Sequence, residues 1–156
     1  MIDIDIPGFG HLQLEHLVSD YNGTLALDGQ LLPGVAEALT AISAHLQVHI
    51  VTADTFGLAA AQLKGLPVEL SILPVEGQAE AKRDLVRQLD AERVVAIGNG
   101  RNDRKMLHTA ALGIALVQQE GGALETLLQA NVVATSVLQA LELLQQPRRL
   151  TATLRS

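Results

Sequence analysis

Apolar residues recur along the chain in two rhythms. Near the start, Ile2, Ile4 and Ile6 alternate with polar residues, Pro7 to Gly10 interrupts, and Leu12 and Leu14 resume the alternation. Period two on either side of a turn predicts a β-hairpin over residues 1–15. From His16 onward, short apolar runs take turns with stretches of helical period. His16 to Asp20, Val48 to Val51, Val68 to Leu73, Val94 to Ile97, Leu112 to Leu116 and Asn131 to Val133 read as strands. Val35, Leu39, Ile42 and Leu46 form one helical stripe behind Pro33 and Gly34. Further helices are predicted from Thr55, as N-cap, to Leu63, and over about 77–89, 103–109, 123–128 and 136–145. Leu25 to Leu32, turning at Asp28-Gly29, predicts a short flap.

Strands alternating with helices across short loops imply right-handed βαβ crossovers. The expected fold is therefore a Rossmannoid three-layer α/β/α domain with a mainly parallel sheet and an added N-terminal hairpin. Residues 1–156 read as one domain, without repeats or linkers. Pro147 ends the last predicted helix, and the tail 146–156 reads as either an edge strand or disorder. Asp3 and Asp5 form a DxD, but alternation assigns them to the hairpin's polar face.

Ligands in such sheets sit at the carboxyl ends of the strands, and polar residues gather at that edge: Asp20 and Asn22, Thr52 and Asp54, then Asn99, Asn102 and Asp103. In LVSDYNGTL an apolar run arrives at one carboxylate, Asp20, and Gly23 can take positive φ, so nearby backbone N–H groups would face an anion held over Asp20. An ordinary exit from strand to loop is the bland alternative. Lys82 is the independent clue. It lies three, four and seven residues before Leu85, Val86 and Leu89, on the buried stripe of its own helix, and must reach from the stripe's end to an anion. Together these residues suit phosphoryl transfer: Asp20 as nucleophile, Thr52 and Lys82 on the phosphoryl oxygens, and Asp103 completing a site for Mg²⁺ among hard oxygen ligands. Asp54 reads equally as a helix cap and as part of the phosphate site. Asn102 reads as an orienting partner, and Arg101, Arg104 and Lys105 as a solvated face.

Composition narrows the partners. The 156 residues contain no cysteine, so thiolate chemistry and disulfides are excluded. A net charge of −6 and 2% aromatic residues argue against nucleic acid. No apolar run is long enough to cross a bilayer and no leader pattern is seen, so the expectation is a cytoplasmic protein without membrane contact. The five histidines show no metal-binding spacing.

DYNGTL, the Thr52 strand end, Lys82 and GNGRND, in that order, resemble the four motifs of the haloacid dehalogenase-like (HAD) superfamily over roughly Leu17 to Gln145. Within it the likeness is to the phosphorylation domain of P-type ATPases, whose DKTGTLT, TGD and GDGxND are similar to DYNGTL, to Thr52-Ala53-Asp54 and to GNGRND. The resemblance implies a phosphohydrolase forming an aspartyl phosphate on Asp20, with Asn22 at the acid/base position and Thr52 and Lys82 on the phosphoryl group. It also implies Gly23, Thr24, Ala53, Asp54 and Asn102 around that group, and Mg²⁺ at Asp20, the Asn22 carbonyl, Asn99 and Asp103. Two departures stand out. Asn22 replaces the usual acid/base aspartate, and an amide cannot protonate a leaving group. Asn99 replaces a metal-binding aspartate, which weakens the expected Mg²⁺ site. A low-turnover phosphoacceptor or Mg²⁺/phosphate-binding regulatory module is the alternative. With no large insertion the site should be uncapped, fitting a macromolecular phosphate or a phosphorylated small molecule enclosed by another subunit. Homo-oligomerisation is expected, with the hairpin as one contact.

Overall fold

The computed structural model describes residues 1–156. Strands β1 (Ile2–Ile6) and β2 (Gly10–Leu14) form the antiparallel hairpin. The main sheet contains β3 (His16–Asp20), β6 (Gln47–Thr52), β7 (Glu69–Ile72), β8 (Val94–Gly98), β9 (Leu112–Leu116) and β10 (Val132–Ala134). Its order is β10-β9-β8-β3-β6-β7 and every pairing is parallel. Short strands β4 (Ala26–Leu27) and β5 (Gln30–Leu31) form the flap.

Alternation along the central strands explains the three layers. Leu17, Ile50, Val95, Ile97 and Ile114 project to one face, where α1 (Val35–Ile42), α2 (Ala59–Gln62) and α6 (Val137–Gln145) cover them. Val18, Val51, Ala96 and Ala115 project to the other, beneath α3 (Gln78–Gln88) and α4 (Arg104–Thr109), with α5 (Leu124–Gln129) alongside. Buried on both faces, the strands read as nearly continuous apolar runs. None of the helices is long and apolar enough to cross a membrane.

Two expectations are corrected. The tail is neither edge strand nor disorder: Pro147–Leu154 forms α7, with Pro147 in its first turn, where a missing N–H costs nothing. Leu150 on α7 is fully buried in the same core as Ile2, Ile4 and Ile6, and the Ser156 N–H donates to the Pro7 carbonyl. The hairpin's apolar face is thus covered within the chain, leaving its polar face for any subunit contact. The second correction concerns Thr55, which caps nothing. Gly57 takes a φ of 70° and holds the chain in a loop until α2 begins at Ala59, so Asp54 accepts from the Leu58 and Ala59 N–H groups instead.

At the opposite end of the sheet from the carboxyl edge, His16 Nδ1 lies 3.2 Å from His49 Nε2, and His49 Nδ1 lies 3.3 Å from Glu69 Oε2. Burial is the main influence on His49 and holds its pKa below the ordinary 6.5. Near that pH the unfolded chain takes up a proton that folded His49 refuses, so acidification through 6.5 removes stability. The stability that the wild type holds over His49→Gln is expected to shrink between about pH 7.5 and about pH 5.5, read as the difference between their urea midpoints at each pH.

Candidate active site

Three neighbouring strands, β3, β6 and β8, deliver their carboxyl ends to one cleft of about 210 Å³, walled by Asp20, Asn22, Thr52, Ala53, Asn99 and Asn102 among others. Adjacency in the sheet does the work, since β3 is hydrogen-bonded to both β6 and β8.

Asp20 is 7% exposed. Its Oδ1 accepts from Lys82 Nζ at 3.0 Å and its Oδ2 from the Thr24 hydroxyl at 3.3 Å. Lys82 enters from α3 with no exposed surface and spends its remaining protons on Asp103 Oδ1 at 2.8 Å and Asn102 Oδ1 at 3.3 Å. No buried side-chain nitrogen or oxygen lacks a partner, which is the condition for a charged cluster to survive in the interior. Burial pushes the Asp20 carboxyl up to about 7, the Asp103 charge adds to that, and Lys82 opposes it. Burial alone would lower Lys82, but Asp103 and Asp20 together raise it above its ordinary value.

Asp103 is fully buried behind the cleft wall. Its Oδ2 accepts from the Asn99 and Gly100 N–H groups, at 3.1 and 3.0 Å, and its Oδ1 holds Lys82. Gly98 has a steric reason: a Cβ there would sit 2.5 Å from Asp103 Cγ. Asn102 is the orienting residue expected, with Nδ2 donating to Gln78 Oε1 at 3.0 Å. Asn99 Nδ2 donates to the Gly121 carbonyl, which turns Oδ1 toward the Thr24 hydroxyl at 3.4 Å. The solvated face is paired: Arg101 and Arg104 with Glu125, and Lys105 with Glu80.

The loop after β3 departs from expectation. Gly23 has a φ of 81°, yet the surrounding amides do not face an anion. The N–H groups of Thr24, Leu25 and Ala26 all converge on the Tyr21 carbonyl, and the Gly23 N–H donates to the Ala26 carbonyl. A turn this tight satisfies its own donors, so Gly23 and Thr24 shape the loop and orient Asp20. Donors left over include the Asn22 and Ala53 N–H groups, neither bonded within the chain, and the Thr52 hydroxyl. Thr52 Oγ1 accepts from the Asp54 N–H at 2.9 Å, leaving its proton available to a ligand. The Asp54 carboxylate is occupied by the loop before α2, so its bonds are those of a cap.

Could a hard cation fit? The Asp20 carboxylate, the Asn22 carbonyl, which accepts no hydrogen bond, and Asn99 Oδ1 are all oxygen donors on this cleft. That donor set suits Mg²⁺, with water filling the remaining positions. Asn22 Oδ1 accepts from the Gly29 N–H of the flap, and Tyr21 donates its hydroxyl to the Gly29 carbonyl, so the loop after β3 and the flap are tied.

Gln78, Gln118 and Glu120 were not singled out from sequence. Gln118 Nε2 donates to the Gly23 and Thr24 carbonyls, while its Oε1 accepts from the Val137 N–H at the start of α6. Glu120 lines the cleft. Both follow the carboxyl end of β9, next to β8 in the sheet, and that position was the available signal.

Residues 80–134, spanning Lys82 and GNGRND, match the sequence profile of the haloacid dehalogenase-like hydrolases. Over that segment, about a third of its length, the chain is similar to the haloacid dehalogenase-like hydrolases. The uncharacterized protein MJ0073 of Methanocaldococcus jannaschii is 38% identical over 79 residues, covering 48% of this chain and 85% of that protein. MJ0072 of the same organism is 41% identical over 39 residues, covering 25% of this chain and 89% of its own. Among solved structures, the HAD fold of the chain is similar to the cobalt-bound deoxy-D-mannose-octulosonate 8-phosphate phosphatase of Haemophilus influenzae. The TM-score is 0.72 at 14% identity, with 92% of this chain and 94% of that one covered. The 3-deoxy-D-manno-octulosonate 8-phosphate phosphatase of Moraxella catarrhalis, in complex with magnesium, phosphate and KDO, has a TM-score of 0.68 at 19% identity, covering 85% of this chain and 86% of that one.

Proposed function

We propose that this protein is a Mg²⁺-dependent phosphohydrolase working through an aspartyl phosphate on Asp20. The observation that carries the reading is the convergence on one cleft of a lysine-held carboxylate and three unspent donors: the Thr52 hydroxyl and the Ala53 and Asn22 N–H groups. Phosphatases with the same fold support it, two of them crystallised with Mg²⁺ or Co²⁺. Asp20 attacks phosphorus, the bond from phosphorus to the leaving oxygen breaks, and that oxygen departs with the electron pair. Water then attacks the same phosphorus, releasing phosphate and restoring the carboxylate. Asp20, the Asn22 carbonyl and Asn99 would hold Mg²⁺, which when bound would supply charge neutralisation on the phosphoryl oxygens. Asp103 serves by holding Lys82 and the Asn99-Gly100 backbone rather than as a direct ligand. Substrate is a phosphorylated small molecule or a macromolecular phosphate. Incubation with acetyl phosphate and Mg²⁺ should release phosphate, and a chelator should stop it; release unaffected by chelation would refute the Mg²⁺ dependence.

Asn22 favours a second reading, a phosphoacceptor with little turnover, which the likeness of DYNGTL and GNGRND to P-type ATPase phosphorylation domains also supports. Asn22→Asp keeps the Oδ1 that accepts from Gly29 and replaces Nδ2, which makes no bond within the chain. The variant should hydrolyse alkyl phosphates on the order of 10²-fold faster, the usual scale of general acid catalysis. Unchanged rates in a steady-state phosphate assay would remove the acid/base account of this position.

A further inference from the structure

Beside the catalytic cleft, beyond Gly23, lies a second chamber of about 400 Å³. Leu27 and Leu32 of the flap segment form one side; Gln118, Gln119, Glu120 and Thr135 form the other. The two spaces meet at Glu120, which lines both, and at the Asn22-Gly23 step, where Asn22 walls the cleft and Gly23 the chamber. A group attached to a phosphoryl held over Asp20 has this chamber as its next room.

Charge in that room is one-sided. No lysine or arginine lines the cleft or the chamber, and Lys82, the nearest in the site, is fully buried behind Asp20. Glu120 makes no hydrogen bond or ion pair within the chain, whereas the neighbouring Glu125 is paired with Arg101 and Arg104. Its Oε1 lies 2.8 Å from where a Gly23 Cβ would stand, so the carboxylate sits against the passage itself. Gln118 contributes only wall, since Nε2 bonds the Gly23 and Thr24 carbonyls and Oε1 the Val137 N–H. The Thr135 hydroxyl is spent on Gln139 Oε1 at 3.0 Å, so what remains for a ligand is an unneutralised carboxylate, the amide of Gln119 and two leucines.

We infer that the substrate carries a neutral or cationic leaving group, an alcohol or amine-bearing moiety, and that Glu120 excludes esters bearing a second anionic group. This inference rests on the hydrolase reading. An anion entering the chamber would meet like charge with no cation to offset it, while an ammonium would find its counterion. Because Glu120 is solvent-exposed, the discrimination is expected at about tenfold rather than thousands.

The test uses three aryl phosphates whose phenols are electronically matched: 4-(2-aminoethyl)phenyl, 4-(2-hydroxyethyl)phenyl and 4-(carboxymethyl)phenyl phosphate. Such leaving groups depart without a strong acid, so Asn22 does not mask the comparison. The expected kcat/KM is about tenfold higher for the amine than for the carboxylate, and Glu120→Gln should bring that ratio toward one. Equal rates for amine and carboxylate, or a ratio unmoved in Glu120→Gln, overturn the inference while leaving the hydrolase reading intact. Failure to release phosphate from all three esters and from acetyl phosphate overturns both.

Discussion

Replacing Lys82 by methionine should destabilise the fold by about 3–5 kcal/mol, the range for removing one partner of a buried charge pair. The side chain has no exposed surface, and Nζ is the shared partner of two carboxylates, Asp20 and Asp103. Without it, two like charges face each other in a low-dielectric interior. The variant's deficit should depend on pH in a diagnostic direction. Asp20 already titrates at about 7 with lysine present. Losing the cation raises the Asp20 carboxyl further, so the folded variant binds a proton that the unfolded chain would release. Its stability is therefore greatest at low pH and lost as pH rises through the folded pKa. Urea unfolding of variant and wild type at about pH 5.5 and about pH 8 measures this, and a deficit equal at both values would contradict it. Phosphate release should fall on the order of 10²- to 10³-fold as well, since Lys82 orients the nucleophile and offsets charge on the transferred group.

Asp20→Asn should separate catalysis from stability in the opposite sense. Without its nucleophile, phosphate release should drop to background, a loss on the order of 10⁴- to 10⁶-fold on the scale of other nucleophile deletions. The fold should not suffer. The amide oxygen still accepts from Lys82, Asp103 keeps Lys82 charged and bonded, and a carboxylate that burial and Asp103 both disfavour is gone. A thermal midpoint equal to or above wild type is the expected outcome, the usual mark of a group kept for function at the expense of stability. A lower midpoint, measured beside a phosphate assay, would show that Asp20 supports the fold.

The same two residues show what could be read from the sequence. Lys82 was legible because a charge on an apolar stripe has few ways to be satisfied. Asp20 and Thr52 were legible because parallel strands put their carboxyl ends on one edge, and β3 and β6 are neighbours. Six strands and the hairpin followed from apolar rhythm alone, since burial on both faces leaves little else in the pattern. What escaped depended on atoms turning toward one another. Nothing in DYNGTL says that the amides of residues 24 to 26 converge on the Tyr21 carbonyl rather than on a ligand. Asp103 looked like a metal ligand by residue type, whereas its oxygens are taken by Lys82 and two backbone amides. Helix α7 was missed because Pro147 reads as a stop as readily as a start, and Leu150 gains its meaning only against the hairpin. Gln118 and Glu120 belong to a loop without motif spacing, and only the sheet order brings them beside Asp20.

Gln118 has a mechanical consequence. One amide side chain grips the nucleophile loop through two carbonyls and the first turn of α6 through Val137. It acts as a rivet between segments more than ninety residues apart, so the loop carrying Asp20 and the C-terminal helical layer should vibrate as one body. The Val137 amide, though outside the site, then becomes a reporter of it. Slow hydrogen exchange at Val137 should quicken in Gln118→Ala, and binding of phosphate over Asp20 should slow it in the intact protein.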